Sequence, residues 1–130
     1  MKRRILLFED EEAIREALAE RLMIEGFDVG SAPNGRKGLK LFQETPGELV
    51  ITDILMPEVD GLEVIRTLRR LRVAPLIIAM SGGGGRDLDF LIEAKEFGAD
   101  GVLAKPFHVD DLVAMIQKLL LSRLAPYQSV

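Results

Sequence analysis

Short apolar runs alternate with longer amphipathic segments five times along the chain, a pattern that predicts strand–helix units on a parallel sheet. Residues 5–8, 49–51 and 76–80 are nearly continuous aliphatic runs, as expected for central strands that are covered on both faces. Residues 27–31 and 102–104 are shorter and weaker strand candidates. The pattern therefore predicts an α/β fold with a five-stranded parallel sheet and helices on both faces.

Amphipathic helices are predicted after each strand, because apolar residues recur there three or four positions apart. The first helix covers residues 11–25 and the fifth about residues 109–121, whereas Asn34 and Asp60 are the expected N-caps of the second and third. The expected inward-facing residues are Ile14, Leu18 and Leu22 in the first helix, Leu39 and Phe42 in the second, Val64, Ile65, Leu68 and Leu71 in the third, and Leu112, Ile116 and Leu119 in the fifth.

The fourth helix, predicted over about residues 86–97, has apolar residues on two nearly opposite sides. One side has Leu88, Leu91 and Ile92, and the other has Phe90, Ala94 and Phe97. Because only one side can face the sheet, we expect the phenylalanine side to be buried, which leaves Leu88 and Leu91 as a candidate partner or homodimer patch. A helix that is buried on most sides is the alternative.

Composition and charge narrow the class of protein. The chain has 130 residues and a formal net charge of −4, with 48% hydrophobic residues and no cysteine. Thiol chemistry, thiolate metal sites and disulfides are therefore excluded. The acidic balance argues against nucleic acid or an anionic membrane as the main partner, since both require a concentrated positive field. No apolar run approaches a membrane span, so we expect one soluble, cytoplasmic domain over residues 1–130, with a core of about 3–121 and a short tail.

Polar side chains follow four of the five predicted strands, and the carboxyl ends of parallel strands meet at one edge of a sheet. Glu9 and Asp10 follow the first strand, Asp53 the third, Ser81 the fourth and Lys105 the fifth. We therefore expect these five side chains to converge on one pocket.

Three carboxylates at close range repel one another, so ionisation of all three requires a cation among them. A set of oxygen ligands without cysteine or a nearby histidine suits Mg²⁺, which could bridge a phosphoryl group to Asp53. Lys105 adds a positive charge and Ser81 a hydroxyl donor for phosphoryl oxygens that lie away from the metal. The set describes a carboxylate nucleophile for phosphoryl transfer.

Four motifs in order then resemble the response-regulator receiver domain of two-component signalling. They are Phe8-Glu9-Asp10-Glu11, the stretch from Val50 to Gly61 (VITDILMPEVDG), Met80-Ser81-Gly82 and Lys105-Pro106-Phe107. The resemblance covers about residues 3–121 and implies a doubly wound, flavodoxin-like (βα)5 fold with strand order 2-1-3-4-5. Since the chain ends soon after the fifth helix, we expect a single receiver domain without an output domain.

The resemblance implies a role for each site residue. Asp53 is the implied phosphoacceptor, and Glu9, Asp10, Asp53 and the backbone carbonyl of Leu55 are the implied Mg²⁺ ligands. Ser81 is the implied switch hydroxyl, Lys105 the phosphate-pairing amine, and the Lys105–Pro106 peptide bond is expected to be cis. The implied phosphoryl donor is a histidine kinase or histidine phosphotransfer protein, and the output surface comprises the fourth helix, fifth strand and fifth helix.

Two features depart from the family pattern. Val102 stands three residues before Lys105, where many receivers have tyrosine or phenylalanine, so the aromatic rotamer that follows the switch hydroxyl is missing. Four consecutive glycines, Gly82 to Gly85, follow Ser81 and are expected to make this loop the least rigid part of the site.

Other functions remain open at this point. A dehalogenase-like phosphatase would need a second aspartate two residues after the nucleophile, where this chain has Leu55. An FMN-binding flavodoxin relative would meet phosphate repulsion from Glu9, Asp10, Glu11 and Glu12. An adaptor that works on the same fold without phosphorylation is a third reading.

Three further features have plain structural explanations. The glycine run lacks the Lys-Ser/Thr of a P-loop, because Arg86 and Asp87 follow it. His108 is expected to be a solvated loop residue. The cluster of Arg66, Arg69, Arg70 and Arg72 is usually a solvated helix face, with docking of an acidic partner as the alternative.

Overall fold

A computed structural model describes residues 2–82 and 87–124 of the chain. Within these residues, five strands alternate with five helices. The elements are β1 Arg4–Phe8, α1 Glu12–Ile24, β2 Asp28–Ala32, α2 Gly35–Glu44, β3 Leu49–Asp53, α3 Gly61–Arg69, β4 Leu76–Ser81, α4 Asp87–Phe97, β5 Gly101–Ala104 and α5 Val109–Leu124. None of the helices in the described ranges has the length and apolarity that crossing a membrane requires.

The strands form one parallel sheet, as the apolar pattern predicts, in the order β2-β1-β3-β4-β5 that the resemblance implies. The chain moves outward from β1 to β2 and then returns to the other side of β1 with β3, so the strand order reverses between β1 and β3. In register, Phe8 of β1 pairs with Thr52 of β3. The residues that follow these two strands therefore start side by side, at the point where ligands bind in open α/β sheets.

Alternate residues of the central strands enter two separate cores, because successive side chains of a strand point to opposite faces. Leu6 and Phe8 belong to the core that α2, α3 and α4 cover, whereas Ile5 and Leu7 belong to the core under α1 and α5. All four side chains are fully buried. Burial on both faces explains why these strands are continuous apolar runs instead of alternating ones.

The predicted caps of α2 and α3 are confirmed. The side chain of Asn34 accepts a hydrogen bond from the backbone N–H of Lys37 at 2.8 Å, and that of Asp60 accepts one from Glu63 at 3.0 Å. Each bond satisfies one of the backbone donors that a helix leaves free in its first turn. Asp60 thus fixes where α3 begins, directly after the loop that follows Asp53.

The predicted burial pattern of α4 is correct for Ala94 and wrong for Leu91 and Phe97. Leu91 is buried in the sheet-facing core together with Ala94, while Phe97 is 37% exposed and Phe90 is only partly buried. The buried face thus lies between the two predicted sides. The side chain of Leu88 lies outside the described part of the structure.

Smaller differences concern helix ends. Leu71, expected on the buried stripe of α3, lies beyond the last turn of that helix and is 40% exposed. In α5 the fully inward positions include Leu120, whereas Leu119 is partly buried, and the helix continues to Leu124. Positions three and four residues after Ile116 both lie near the inward face of a helix, and here the fourth is the more buried.

A polar cluster that the sequence did not indicate ties α3 to the end of α4. Arg69 donates to the carbonyl of Gly98 at 2.6 Å and to the carboxylate of Asp100 at 2.5 Å. The same carboxylate accepts from the backbone N–H of Ile77 at 2.8 Å. Arg69 is therefore committed to a structural ion pair, and Arg66 lies 5.8 Å from the ring centre of Phe97, at cation–π distance.

Candidate functional site

The acidic end of β1 provides two carboxylates in different environments. Glu9 follows the last residue of β1 and is fully buried, whereas Asp10 is exposed. Glu9 is held by its backbone as well, because its N–H donates to the carbonyl of Ala32 on β2 at 3.1 Å. The fixed backbone directs one acid into the protein and the next toward the solvent-accessible edge of the sheet.

Asp53 is the last residue of β3 and is 6% exposed. The loop that follows it folds back closely, since the N–H of Gly61 donates to the carbonyl of Ile54 at 2.8 Å. A Cβ atom at position 61 would lie 2.2 Å from the backbone carbonyl oxygen of Asp53, so a glycine is required there. The glycine at the start of α3 thus permits the close packing that positions Asp53.

Lys105 joins the two buried acids. Its Nζ atom donates to Glu9 Oε1 at 2.7 Å and to Asp53 Oδ2 at 3.1 Å. Lys105 follows β5, and the Lys105–Pro106 peptide bond is cis, as expected. The amine is therefore closer to Glu9 than to Asp53, a contact that the sequence did not predict.

The other predicted residues are placed as follows. Ser81 ends β4, is fully buried, and its carbonyl accepts the N–H of Lys105 at 2.7 Å. Leu55 lies in the loop after Asp53 with 52% of its surface exposed. Val102 is half-buried against the core and pairs with Ala79 of β4. Gly83, Gly84 and Gly85, expected to be the least rigid part of the site, lie outside the described residues.

The carboxylates of Glu9, Asp10 and Asp53 form one cluster, in which a single oxygen of each lies within 4.8 Å of the other two. Burial raises the pKa of Asp53 to about 6, and the negative charge of Glu9 adds to the effect, although Lys105 opposes it. Loss of part of its hydration and the neighbouring Glu9 also raise the pKa of Asp10, although this residue is exposed. Charge repulsion is therefore concentrated at this edge of the sheet.

The surroundings of Glu9 and Lys105 shift the pKa of each residue in the direction that favours its charged form. Burial alone would raise the pKa of Glu9, but the hydrogen bonds from Lys105 and from the backbone of Glu11 outweigh burial and lower that pKa. Burial alone would lower the pKa of Lys105, but the two carboxylates outweigh it and raise that pKa. Glu9 is thus a stable anion and Lys105 a stable cation, and the remaining excess negative charge resides on Asp10 and Asp53.

This donor set fits a divalent cation. Three carboxylates share the cluster, and Lys105 supplies one compensating positive charge, so the site retains net negative charge when all are ionised. Mg²⁺ prefers oxygen ligands and is commonly held by one or two carboxylates with several waters. Glu9, Asp10 and Asp53 are consequently the residues that could hold the metal.

Sequence reasoning missed the contacts that orient Glu9. Arg15 donates to the backbone carbonyl of Glu9 at 2.9 Å, and the N–H of Glu11 donates to Glu9 Oε2 at 3.1 Å. Arg15 lies one turn into α1 and has no sequence feature that separates it from an ordinary surface arginine. His108, by contrast, is exposed in the loop before α5, as expected.

Comparison with known proteins identifies the family. A family profile described as "Response regulator receiver domain" matches residues 5–117. The "Cell cycle response regulator CtrA" of Brucella ovis is 34% identical over 127 residues, which are 98% of this chain and 54% of that protein. The "Probable transcriptional regulator ycf27" of Galdieria sulphuraria is 38% identical over 119 residues, which are 92% of this chain and 46% of that protein. The chain thus spans about half the length of these curated relatives.

Solved structures of receiver domain proteins have the same fold as this chain. A response regulator receiver domain protein from Clostridium thermocellum superposes with a TM-score of 0.83 at 31% identity, covering 94% of this chain and 98% of that one. A CheY-like receiver domain protein from Methanospirillum hungatei gives a TM-score of 0.86 at 27% identity, covering 94% and 96%. With the strand order, the acidic cluster and the sequence match all in accord, the chain belongs to the response regulator receiver domain family of two-component signalling.

Proposed function

We propose that Asp53 accepts a phosphoryl group from the phosphohistidine of a histidine kinase or histidine phosphotransfer protein in the cytoplasm. The observation that carries this proposal is the placement of Asp53 within 4.8 Å of Glu9 and Asp10, with Lys105 Nζ on its Oδ2 atom. A nearly buried carboxylate that is flanked by two acids and a lysine is suited to attack a phosphoryl group. A bound cation and Lys105 can together balance the negative charges of the acids and of the phosphoryl oxygens.

The transfer itself needs no general base, since the carboxylate is the nucleophile. An oxygen of Asp53 attacks the phosphorus atom of phosphohistidine, a P–O bond forms, and the P–N bond to the imidazole breaks. The imidazole nitrogen keeps the electron pair of that bond and takes a proton from solvent. The protein contributes position and charge neutralisation to this step.

The side chains of Glu9, Asp10 and Asp53 and the backbone carbonyl of Leu55 would hold Mg²⁺. When bound, Mg²⁺ neutralises negative charge on the phosphoryl oxygens. Lys105 would release Asp53 and pair with a phosphoryl oxygen while it keeps its shorter bond to Glu9. The same groups would assist hydrolysis of the aspartyl phosphate, so that the domain aids its own dephosphorylation.

Phosphorylation would act as a switch through Ser81. The Ser81 carbonyl already accepts the backbone N–H of Lys105, so movement of either residue is coupled to the other. The added charge on Asp53 would attract the hydroxyl of Ser81 and alter the surface formed by α4, β5 and α5, where a downstream protein would bind. Val102 would make the readout differ from that of receivers with an aromatic residue at this position.

The test is incubation with Mg²⁺ and acetyl phosphate, followed by intact-mass measurement. Wild type and Asp89→Asn should gain the mass of one phosphoryl group, because Asp89 is an exposed residue of α4 outside the cluster. Asp53→Asn should gain none, and chelation of the metal should abolish labelling of the wild type. Equal labelling of Asp53→Asn would place the acceptor elsewhere, and an unlabelled wild type would favour the phosphorylation-independent adaptor.

A further inference from the structure

A groove with a volume of about 600 Å³ lies between α2 and α3. It shares no residue with the acidic cluster or with the α4–β5–α5 surface. Its apolar lining residues are Leu39, Phe42, Pro46, Val59, Leu68 and Leu71. Leu68 is fully buried and Phe42 nearly so, and therefore the other four offer most of the apolar surface. Leu71, at 40% exposure, stands at the edge of the groove because it lies beyond the last turn of α3. A volume of this size and an apolar lining are typical of binding clefts.

One rim of the groove is basic. Arg36 and Lys40 are four residues apart on α2, so their side chains project from the same side of the helix. Both are exposed, and neither forms an ion pair or side-chain hydrogen bond within residues 2–82 and 87–124. No carboxylate lines the groove among those residues.

Two further arginines flank Leu71 in the chain, but they do not line the groove. Arg70 and Arg72 precede and follow Leu71 in the chain, and both are exposed without an ion pair in the described ranges. They differ from Arg69, whose guanidinium is committed to Asp100. The whole chain has a net charge of −4, so a local group of positive charges beside the groove is opposite in sign to the overall charge.

From this charge pattern we propose that the α2–α3 groove binds an acidic amphipathic helix of a partner protein. A helix laid between α2 and α3 would place apolar side chains at positions i, i+3 or i+4, and i+7 against the lining of the groove. Glutamate or aspartate on the flank of that helix would meet Arg36 and Lys40 at the α2 rim of the groove. This interaction goes beyond the proposed phosphorylation and does not depend on it.

Two other occupants fit less well. Nucleic acid would track a longer row of cations and stack bases on exposed aromatic rings, whereas Phe42 in this groove is buried. A second copy of the chain could offer acidic α1, but its large exposed apolar side chains are Met23 and Ile24, confined to the last turn. That stripe is too short to fill a groove that is lined by six apolar residues.

The test uses a capped synthetic helical peptide of about four turns, with leucine on one stripe and glutamate elsewhere. A second peptide has the same leucines with lysine in place of glutamate. Titration into ¹⁵N-labelled protein should shift the amide signals of Leu39, Gln43 and Leu71 with the acidic peptide, and the basic peptide should bind at least tenfold more weakly. Raised salt should weaken binding of the acidic peptide.

Variants assign the binding to the groove. Arg36→Glu with Lys40→Glu should reduce affinity for the acidic peptide at least tenfold, whereas Lys2→Glu with Lys118→Glu, which changes the net charge equally at exposed residues elsewhere, should leave it within twofold. Leu71→Gln should reduce it about tenfold, the effect of about 1.4 kcal/mol of lost apolar contact. Thermal unfolding checks that each variant is folded.

Three results would overturn the proposal. They are equal binding of both peptides to the wild type, signal changes confined to α1 or to the α4–β5–α5 surface, and unchanged affinity in the Arg36→Glu/Lys40→Glu variant. The peptide comparison needs no variant, so it remains decisive if a substitution impairs folding. Sedimentation of the protein alone tests whether a second copy of the chain occupies the groove. Self-association that the Arg36→Glu/Lys40→Glu variant abolishes would show that it does, and this result would also overturn the proposal of a partner protein.

Discussion

At the residue scale, the ionised form of Asp53 that the proposed reaction needs is also the form that lowers the stability of the folded protein. In the proposed phosphoryl transfer the carboxylate has to be ionised to attack phosphorus, yet burial and Glu9 raise its pKa to about 6 from an ordinary value of 3.8. A group whose pKa is raised on folding contributes stability below its unfolded pKa and loses that contribution as pH rises through its folded pKa. Ionised Asp53 therefore destabilises the free protein at neutral pH.

We expect Asp53→Asn to be more stable than the wild type at pH 7.5 in metal-free buffer. A shift of about two pKa units corresponds to about 3 kcal/mol at full ionisation, and asparagine removes this cost while it keeps the shape of the side chain. Urea unfolding from pH 4 to pH 8 should show a gap between variant and wild type that is near zero at pH 4 and grows until about pH 7.

Asp89→Asn is the matched control and should leave the free energy of unfolding within about 0.5 kcal/mol of wild type at each pH. A gap for Asp53→Asn that does not change with pH would show that packing, and not ionisation, causes it. A variant that is less stable than wild type at pH 7.5 would mean that the bond from Lys105 outweighs the repulsion around Asp53.

The residues of the site were predictable because they are strand ends. Glu9, Asp10, Asp53 and Lys105 each follow an apolar run, and parallel strands bring such positions together irrespective of loop sequence. The bond of Lys105 to Glu9 was not predictable in this way. It depends on the length of the glutamate side chain and on the contacts of Arg15 and Glu11 that orient it, which are set by the packing of α1.

At the element scale, α2 shows how packing overrides helix propensity. Gly35 and Gly38 make it an intrinsically weak helix, and Asn34 only partly compensates through its cap. A Cβ atom at position 38 would lie 2.7 Å from the ring of Phe8, which is itself fully buried in the central strand. Glycine is thus required by the close approach of α2 to β1, and not by a special backbone angle.

We therefore expect Gly38→Ala to destabilise the protein by about 1–3 kcal/mol through overpacking, although alanine favours a helix by about 1 kcal/mol over glycine. Lys40→Ala on the exposed side of the same helix should change stability by less than about 0.5 kcal/mol. Chemical denaturation measures both. A stabilised Gly38→Ala variant would show that α2 can move away from Phe8 at little cost.

In α4, unlike α2, the sequence predicts a helix clearly, but its apolar periodicity does not determine which side is buried. Two apolar stripes offered two solutions, and the structure adopts an intermediate one with Leu91 and Ala94 inward. Contacts with α3 accompany this orientation: Arg69 binds Gly98 and Asp100 just after the helix, and Arg66 lies over the ring of Phe97. Both arginines belong to α3, so the sequence of α4 alone does not indicate these contacts.

At the scale of the whole molecule, the acidic cluster should link metal binding to folding. The three carboxylates are gathered only in the folded chain, so a cation that binds them stabilises that state. At a Mg²⁺ concentration ten times the dissociation constant, the gain is about 1.4 kcal/mol, or a few degrees in the unfolding temperature. We expect this increase in wild type and its reversal by EDTA.

Asp10→Asn should lose most of the Mg²⁺-dependent increase, because it removes the exposed carboxylate of the cluster. Glu12→Gln changes another exposed acid nearby that is outside the cluster, and this variant should retain the increase. Sodium chloride at matched ionic strength controls for general screening. An equal increase in all three proteins would show that Mg²⁺ acts on the surface charge of the molecule and not at this site.

The sequence by itself determined the sheet, its helices and the strand ends at which Glu9, Asp10, Asp53 and Lys105 lie, because burial on both faces requires apolar runs and parallel strands align their ends. The tertiary structure alone decided contacts between elements: the bond of Lys105 to Glu9, the rotation of α4, and the groove between α2 and α3. Each depends on distances between residues far apart in the chain, and those distances follow from how side chains of different elements pack together.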